Sequence, residues 1–447
     1  MNKQLRKAPQ GALVRTFVAW VIATGAIGAF AQQGAAPAGA VRTMTLREAV
    51  DLAFRNNRNV LFAEANSARA AAEHDQARAL FRPQVLLGSG LAYTKGFPLS
   101  IEGSAPSIFQ VNSSQALFDR NLRNLERQAG QMQQAAGKSL EDVRDQVVAD
   151  TVLTYLDLDR SRRSLEYLAG QVESLEASAQ LTEERVQSGL EPPLDTTRAR
   201  LGAARARAEL AALENQISLL EFRLRDLTGL PASQRIETQA AEVPPLPAAT
   251  LEEWIARARA SQPALQALDD EVRAKEFQVK SEEGTRWPRV HLVGKYGLFS
   301  KINNYDEYFQ RFARNNVTIG ASIVVPVYER ERYSARLSIA ENELAAARFR
   351  RDQARTDVER QVRELWAAAQ QQDAAREVVR LELELARGAL DAVLAQYNEG
   401  RVNRLAVEQA RQEENRAWVN LLDADYQTER ARLELLRLAG QVRAAFQ

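Results

Sequence analysis

The chain has 447 residues, 45% of them apolar and 26% charged, the composition of a large folded protein rather than a disordered or collagenous one. Lysine plus arginine number 59 against 58 aspartate plus glutamate, and that balance argues against nucleic acid as a partner. There is no cysteine and only two histidines, His74 and His291, so thiolate nucleophiles, disulfides, cysteine zinc sites and most His-based catalysis are excluded. With no Ser-His-Asp, metal-spaced or phosphate-loop constellation either, no catalytic residue, metal ligand or cofactor is expected, and the chain does not read as an enzyme.

The N-terminus opens with Lys3, Arg6, Lys7 and Arg15, continues with an apolar run from Thr16 to Phe30, and reaches Ala29-Phe30-Ala31, a small-x-small cleavage pattern before Gln32. Residues 1–31 are therefore expected to be a signal peptide. The alternative is an uncleaved anchor, but the run is shorter than the ~20 residues a spanning helix needs. Loss of this leader takes four bases and no acid, leaving 55 basic against 58 acidic residues. Beyond residue 31 no stretch approaches 18 apolar residues, so any crossing of a membrane would have to be made by strands.

The remainder is written twice. At a shift of 205, Thr45-Leu46-Arg47-Glu48 falls on Thr250-Leu251-Glu252-Glu253, Ala53 on Ala258, and Pro83-Gln84-Val85-Leu86-Leu87 on Pro288-Arg289-Val290-His291-Leu292. At 210 and then 211, Leu117-Phe118-Asp119 falls on Val327-Tyr328-Glu329, Gly189 on Gly400, Leu194 on Leu405, and Leu227-Thr228-Gly229 on Leu438-Ala439-Gly440. Landmarks in the same order along the whole chain define two structural units, 32–229 and 250–441. Residues 230–249, with Pro231, Pro244, Pro245 and Pro247, read as a linker, and 442–447 as a C-terminal tail.

Each unit begins with a helical pattern broken near Asn56-Asn57 or Ser261-Gln262-Pro263 and stopped by Pro83 or Pro288. The period then changes from about 3.6 to 2. Val85, Leu87, Leu91 and Tyr93 share a face, as do Val290, Leu292, Tyr296 and Leu298. The returning strand of the second unit alternates Val317, Ile319, Ala321, Ile323 and Val325 with Thr318, Gly320 and Ser322, while that of the first carries Phe109 and Val111. Strands are expected at about 84–95, 107–117, 289–299 and 316–327, each near the length of a tilted bilayer-crossing strand. The loops between them carry Tyr93, Phe97, Phe299, Tyr305, Tyr308, Phe309 and Phe312, suited to an interfacial aromatic girdle. Two soluble hairpins on a core are the bland alternative.

Long helices are expected next, over 119–188 and 329–399, almost free of Gly and Pro. About 70 residues at 1.5 Å each make roughly 105 Å. Leu165, Leu168, Val172, Leu175, Ala179, Thr182 and Val186 recur at steps of three and four, as do Val379, Leu383, Ala386, Leu390, Val393 and Tyr397, the seam of a coiled coil. Gly189 and Gly400 turn the chain into shorter return helices, the first with a seam of Leu210, Leu213, Ile217, Leu220, Leu224 and Leu227.

A duplicated helix, Pro-led strand, strand ending in Leu-Phe-Asp, very long helix, Gly turn and helix ending in Leu-Thr-Gly resembles the TolC family of outer-membrane efflux channels over essentially all of residues 45 to 441. The resemblance implies a mainly α fold with a membrane β-barrel portion. Duplicated helical hairpins of three chains would form an α-barrel tunnel, joined to a 12-stranded barrel to which each chain gives four strands. It also implies a homotrimer in the lipid of the cell outer membrane, with its tunnel in the periplasm. The channel would conduct passively for a tripartite efflux pump or type I secretion system, with a periplasmic adaptor (membrane fusion) protein and an inner-membrane transporter as partners.

The family pattern Gln-Pro-Leu-Phe is Gln115-Ala116-Leu117-Phe118 in the first copy, and Val325-Pro326-Val327-Tyr328 in the second. Where some members place aspartates at the tunnel entrance this chain has Ala406 and Gln409, with Glu408 nearby. The tip residues Gly189, Asp195, Tyr397, Gly400, Arg401 and Arg404 are the candidate gate and adaptor contact, since Tyr397, Arg401 or Arg404 could bond Asp195 of a neighbouring hairpin. An ordinary solvated helix end is the competing reading of the tips. A periplasmic coiled-coil adaptor or structural protein without a barrel is the competing reading of the chain, against which the duplicated strands with aromatic loops speak.

Overall fold

The computed structural model describes residues 41–90, 107–190, 192–241, 243–299, 313–327, 330–402 and 404–446. The expected leader lies outside the described residues, as do Tyr93, Phe97, Tyr305, Tyr308, Phe309 and Phe312 of the aromatic loops. In chain order the elements are β1 (Val41–Met44), α1 (Leu46–Asn56), α2 (Arg58–Ala79), β2 (Gln84–Gly90), β3 (Ser107–Phe118), α3 (Arg120–Gln187) and α4 (Pro193–Thr228), then β4 (Arg235–Thr238), α5 (Leu251–Ser261), α6 (Pro263–Gly284), β5 (Arg289–Phe299), β6 (Asn315–Val324), α7 (Arg330–Asn398), α8 (Arg404–Leu438) and α9 (Val442–Phe446).

Local chemistry sets the boundaries. The Thr45 hydroxyl accepts from the Glu48 N–H at the start of α1, and at the duplicate position Thr250 and Glu253 form a reciprocal capping box at the start of α5. Asn57 caps α2 by its side chain, whereas Pro263 opens α6 at the one helical position where a missing N–H is harmless. The Leu-Phe-Asp motif also acquires a role, because buried Asp119 ends β3 and its carboxylate accepts from Leu122 N–H at 3.1 Å, capping α3. The strand expected to run to 327 stops at Val324, two residues before Pro326, which has no N–H for a ladder.

The long helices have 68 and 69 residues, about 100 Å each at 1.5 Å per residue. Helices α3 and α4 pack as one hairpin and α7 and α8 as the other; α2 lies on α3, α6 on both α3 and α7, and α8 on α3, so the two repeats share walls. The amides of Asn56 and Asn57 donate to the Thr228 and Leu227 carbonyls at 3.1 and 3.2 Å. The last carbonyls of α4 are thus satisfied by the α1–α2 junction, and the two shorter helices run end to end along α3.

One core ties the middle of the molecule together. It gathers Met44, Leu46 and Val50 with Val148, Val152, Tyr155 and Leu158 of α3, Trp254 and Ile255 of α5, Val362 of α7, and Leu433, Leu435 and Leu438 of α8. The 230–249 segment, expected as a linker, contributes to this core: β4 pairs in parallel with β1, Val41 to Arg235 through Met44 to Thr238, and Ile236 is fully buried. The expected tail likewise forms α9, burying Val442 and Phe446. Each strand is only four residues long, and their partners lie nearly 200 residues apart, so no local period announces them.

The duplication extends to contacts. Arg144 pairs with Glu64 at 2.7 Å, and the positions shifted by 211 and 205 are Arg355 and Asp269, paired at 2.8 Å. Arg162–Glu221 at 2.5 Å becomes, at a shift of 211, Asp373–Arg432 at 2.7 Å, the same bridge with its charges exchanged. The Glu176–Arg207 ion pair becomes Arg387 over the Trp418 ring, 4.5 Å from its centroid. Side chains that touch have changed together, which supports the repeat more strongly than identity alone.

Candidate functional site

The first surface is the four-stranded sheet, ordered β2-β3-β5-β6 and antiparallel throughout. Directly opposed residues in antiparallel strands share a face. The register aligns Leu87, Val111, Tyr296 and Val317 in one row, Val85, Ser113, Gly294 and Ile319 in the next, and Gln115, Leu292 and Ala321 in a third. The other face reads Leu86, Asn112, Lys295, Thr318 and Gly88, Gln110, Gly297, Asn316. One face is therefore mainly apolar, Ser113 and Gln115 interrupting it, and the other mainly polar or small despite Leu86 and Val293, as the alternation along each strand led one to expect. Among the described residues of a single chain the apolar face is uncovered: Leu87 is 69% and Ile319 78% exposed. Phe109 meets Tyr296 edge-on across the strands at 6.2 Å. Among the described residues β2 and β6 each keep one unpaired edge. Among the described residues no helix is long and apolar enough to cross a membrane.

Next to the sheet, the start of α3 is held against the end of α6. The Asn121 amide lies 2.9 Å from both the carbonyl and the hydroxyl of Ser281, Asn124 donates to the Lys280 carbonyl at 2.9 Å, and Arg120 stacks over Trp287 at 4.3 Å. A Cβ on Gly284 would stand 2.8 Å from the Asn121 nitrogen, so only glycine lets the end of α6 approach the start of α3 this closely.

The second surface is the pair of hairpin tips. Gly189 has φ 74° and Gly400 φ 73°, the left-handed turn expected of both. Leu190 N–H reaches the Arg185 carbonyl at 2.8 Å and Gly189 N–H that of Val186 at 3.0 Å; Arg401 and Gly400 repeat the arrangement onto Gln396 and Tyr397, each at 2.9 Å. These are Schellman caps. Asp195 lies in the first turn of α4, where a carboxylate suits the helix dipole, and is paired with Arg198 at 3.2 Å. Arg401 is paired with Glu399 at 3.0 Å, and Tyr397 is exposed. The Arg404 side chain lies outside the described residues. Sequence reasoning missed both local partners, although Arg198 stands three residues after Asp195, a spacing that brings helix side chains together. Glu408 is buried and accepts from the Ser174 hydroxyl on α3, so it faces the other repeat's hairpin.

Comparison with known proteins accords with this geometry. The family described as outer membrane efflux protein matches residues 49–230 and 254–441, the two repeats. Protein CyaE of Bordetella pertussis is 26% identical over 71% of this chain and 68% of its own length. Outer membrane efflux protein BepC of Brucella suis is 23% identical over 90% of this chain and 86% of its own. In fold, the chain superposes on the CmeC outer membrane channel of Campylobacter jejuni with a TM-score of 0.73 over 89% of this chain and 86% of that one, at 16% identity. With both repeats matched, the chain belongs to the outer membrane efflux protein family.

Proposed function

We propose that three copies close their sheets into one twelve-stranded barrel and gather their hairpins into a periplasmic tunnel, giving a passive exit duct. An inner-membrane transporter would supply the cargo through a periplasmic adaptor at the hairpin tips; the duct itself performs no chemistry and needs no cofactor. The observation that carries this reading is the sheet, two-faced and open at β2 and β6. In lipid each unpaired backbone group costs several kcal/mol, so four strands cannot stand alone, whereas twelve can close. Purified protein should form pores in a planar bilayer and run as three chains in native mass spectrometry. A stable monomer that still forms pores would overturn the assembly.

The tips are proposed as the gate. In one chain Asp195 and Arg401 hold local, exposed partners, and such pairs are worth about 0 to 1 kcal/mol, so exchange for a neighbouring hairpin is cheap. Asp195→Ala should leave the trimer assembled and raise conductance. Arg401→Ala or Arg404→Ala should do the same if that residue is the donor, and combination with Asp195→Ala should add little. Unchanged conductance in all three single variants would remove the gate and leave the duct.

A further inference from the structure

We propose that Lys295 makes the barrel lumen selective for anionic cargo. The inference rests on the duct reading above and deepens it. A barrel in lipid turns its apolar face outward, so the row Leu87, Val111, Tyr296, Val317 faces the membrane and the opposite row Leu86, Asn112, Lys295, Thr318 faces the lumen. Lys295 occupies the middle of β5, exposed, flanked across the strands by the neutral Asn112 and Thr318. Among the described residues it has no ion-pair partner. Arg289 and His291 follow on the same face of β5, Arg289 about 20 Å away at roughly 3.4 Å per residue.

No acid opposes this charge in the sheet. β2, β3, β5 and β6 contain neither Asp nor Glu, in a chain that is otherwise balanced between 59 bases and 58 acids. The helices pair many of their acids with arginine or lysine, whereas Lys295 and Arg289 in the strands have no ion-pair partner among the described residues. Threefold repetition sets three Lys295 ammonium groups at one level of the lumen. Twelve strands about 4.8 Å apart and tilted about 40° give a radius of roughly 12 Å, so the lysines bring their charge within about one Debye length of the axis at 0.1 M salt. Three unit charges at about 10 Å in screened water favour chloride over potassium about fourfold relative to a neutral ring. Anionic solutes would pass this level of the duct more readily than cations of the same size.

The test is the reversal potential of single pores of the full chain under a potassium chloride gradient centred on 0.1 M, for wild type, Lys295→Gln and Lys295→Glu. The chloride-to-potassium permeability ratio should fall about fourfold in Lys295→Gln and further in Lys295→Glu, with both shifts shrinking in 1 M salt as the Debye length contracts to about 3 Å. Equal ratios in three proteins that all form pores would overturn the assignment of Lys295 and leave the duct intact. Lack of any pore from the wild-type protein would overturn the duct reading on which it rests.

Discussion

Tyr155 stands in the middle of α3 with no exposed surface and binds together segments far apart in the chain. Its hydroxyl lies 2.7 Å from the Met44 carbonyl and 2.9 Å from that of Gln239, to which it donates, and it accepts from Gln239 N–H at 2.7 Å. It thus holds the end of β1 and the chain just after β4 against α3. Burial pushes the phenol up to about 12. An unfolded tyrosine titrates near 10, so between pH 10 and 12 the unfolded chain gives up a proton that the folded one keeps, and stability falls by up to about 2 to 3 kcal/mol. Tyr155→Phe should cost about 1 to 2 kcal/mol at neutral pH and lack this alkaline loss. Thermal denaturation of the extracted protein at pH 8 and above pH 11 should show the gap between variant and wild type closing with pH; a constant gap would mean that the hydroxyl does not carry these contacts.

The sequence announced the elements that repeat a period or end on a special residue. Proline marked Pro83 and Pro288, glycine marked 189 and 400, and the three-four spacing from Leu165 to Val186 marked a helix now seen with Val172 buried and the rest of that seam half-buried. The β1–β4 pair and the buried α9 were not legible, because each depends on which surfaces meet rather than on a local pattern, whereas the Asp195–Arg198 pair was legible in its spacing of three and was overlooked. Between these extremes lie the interhelical ion pairs. Glu64, Arg144, Asp269 and Arg355 are unremarkable charges in sequence, and only the fold shows that the duplication preserved their pairing. The exchanged bridge invites a direct trial. Asp373→Arg sets a second cation against Arg432 and should destabilise by about 1 kcal/mol at most, since Asp373 is half exposed. Adding Arg432→Glu should restore the loss, as the first repeat already runs this bridge in the opposite sense. Additive losses in a double-mutant cycle by thermal denaturation would show that the two positions are independent.

At the scale of the whole molecule, two parts of opposite character are spliced at Gly284 and Asn121. The helical part covers itself with paired charge and stabilises itself by a shared core between repeats. The sheet does neither: its apolar face is bare and its two edges are open, conditions that water punishes by aggregation and lipid by unsatisfied hydrogen bonds. Membership of the outer membrane efflux protein family and the two-faced register both place the sheet in a membrane, and closure with other copies is the remaining requirement. The chain has no cysteine, so Leu86→Cys in β2 and Thr318→Cys in β6 would be the only thiols present, both on the polar face near the two open edges. In outer membranes containing this double variant, a short flexible bis-maleimide should link β2 of one chain to β6 of the next, giving a denaturing-gel ladder that ends at three chains. Bands of one chain only, or a ladder continuing past three, would contradict the account.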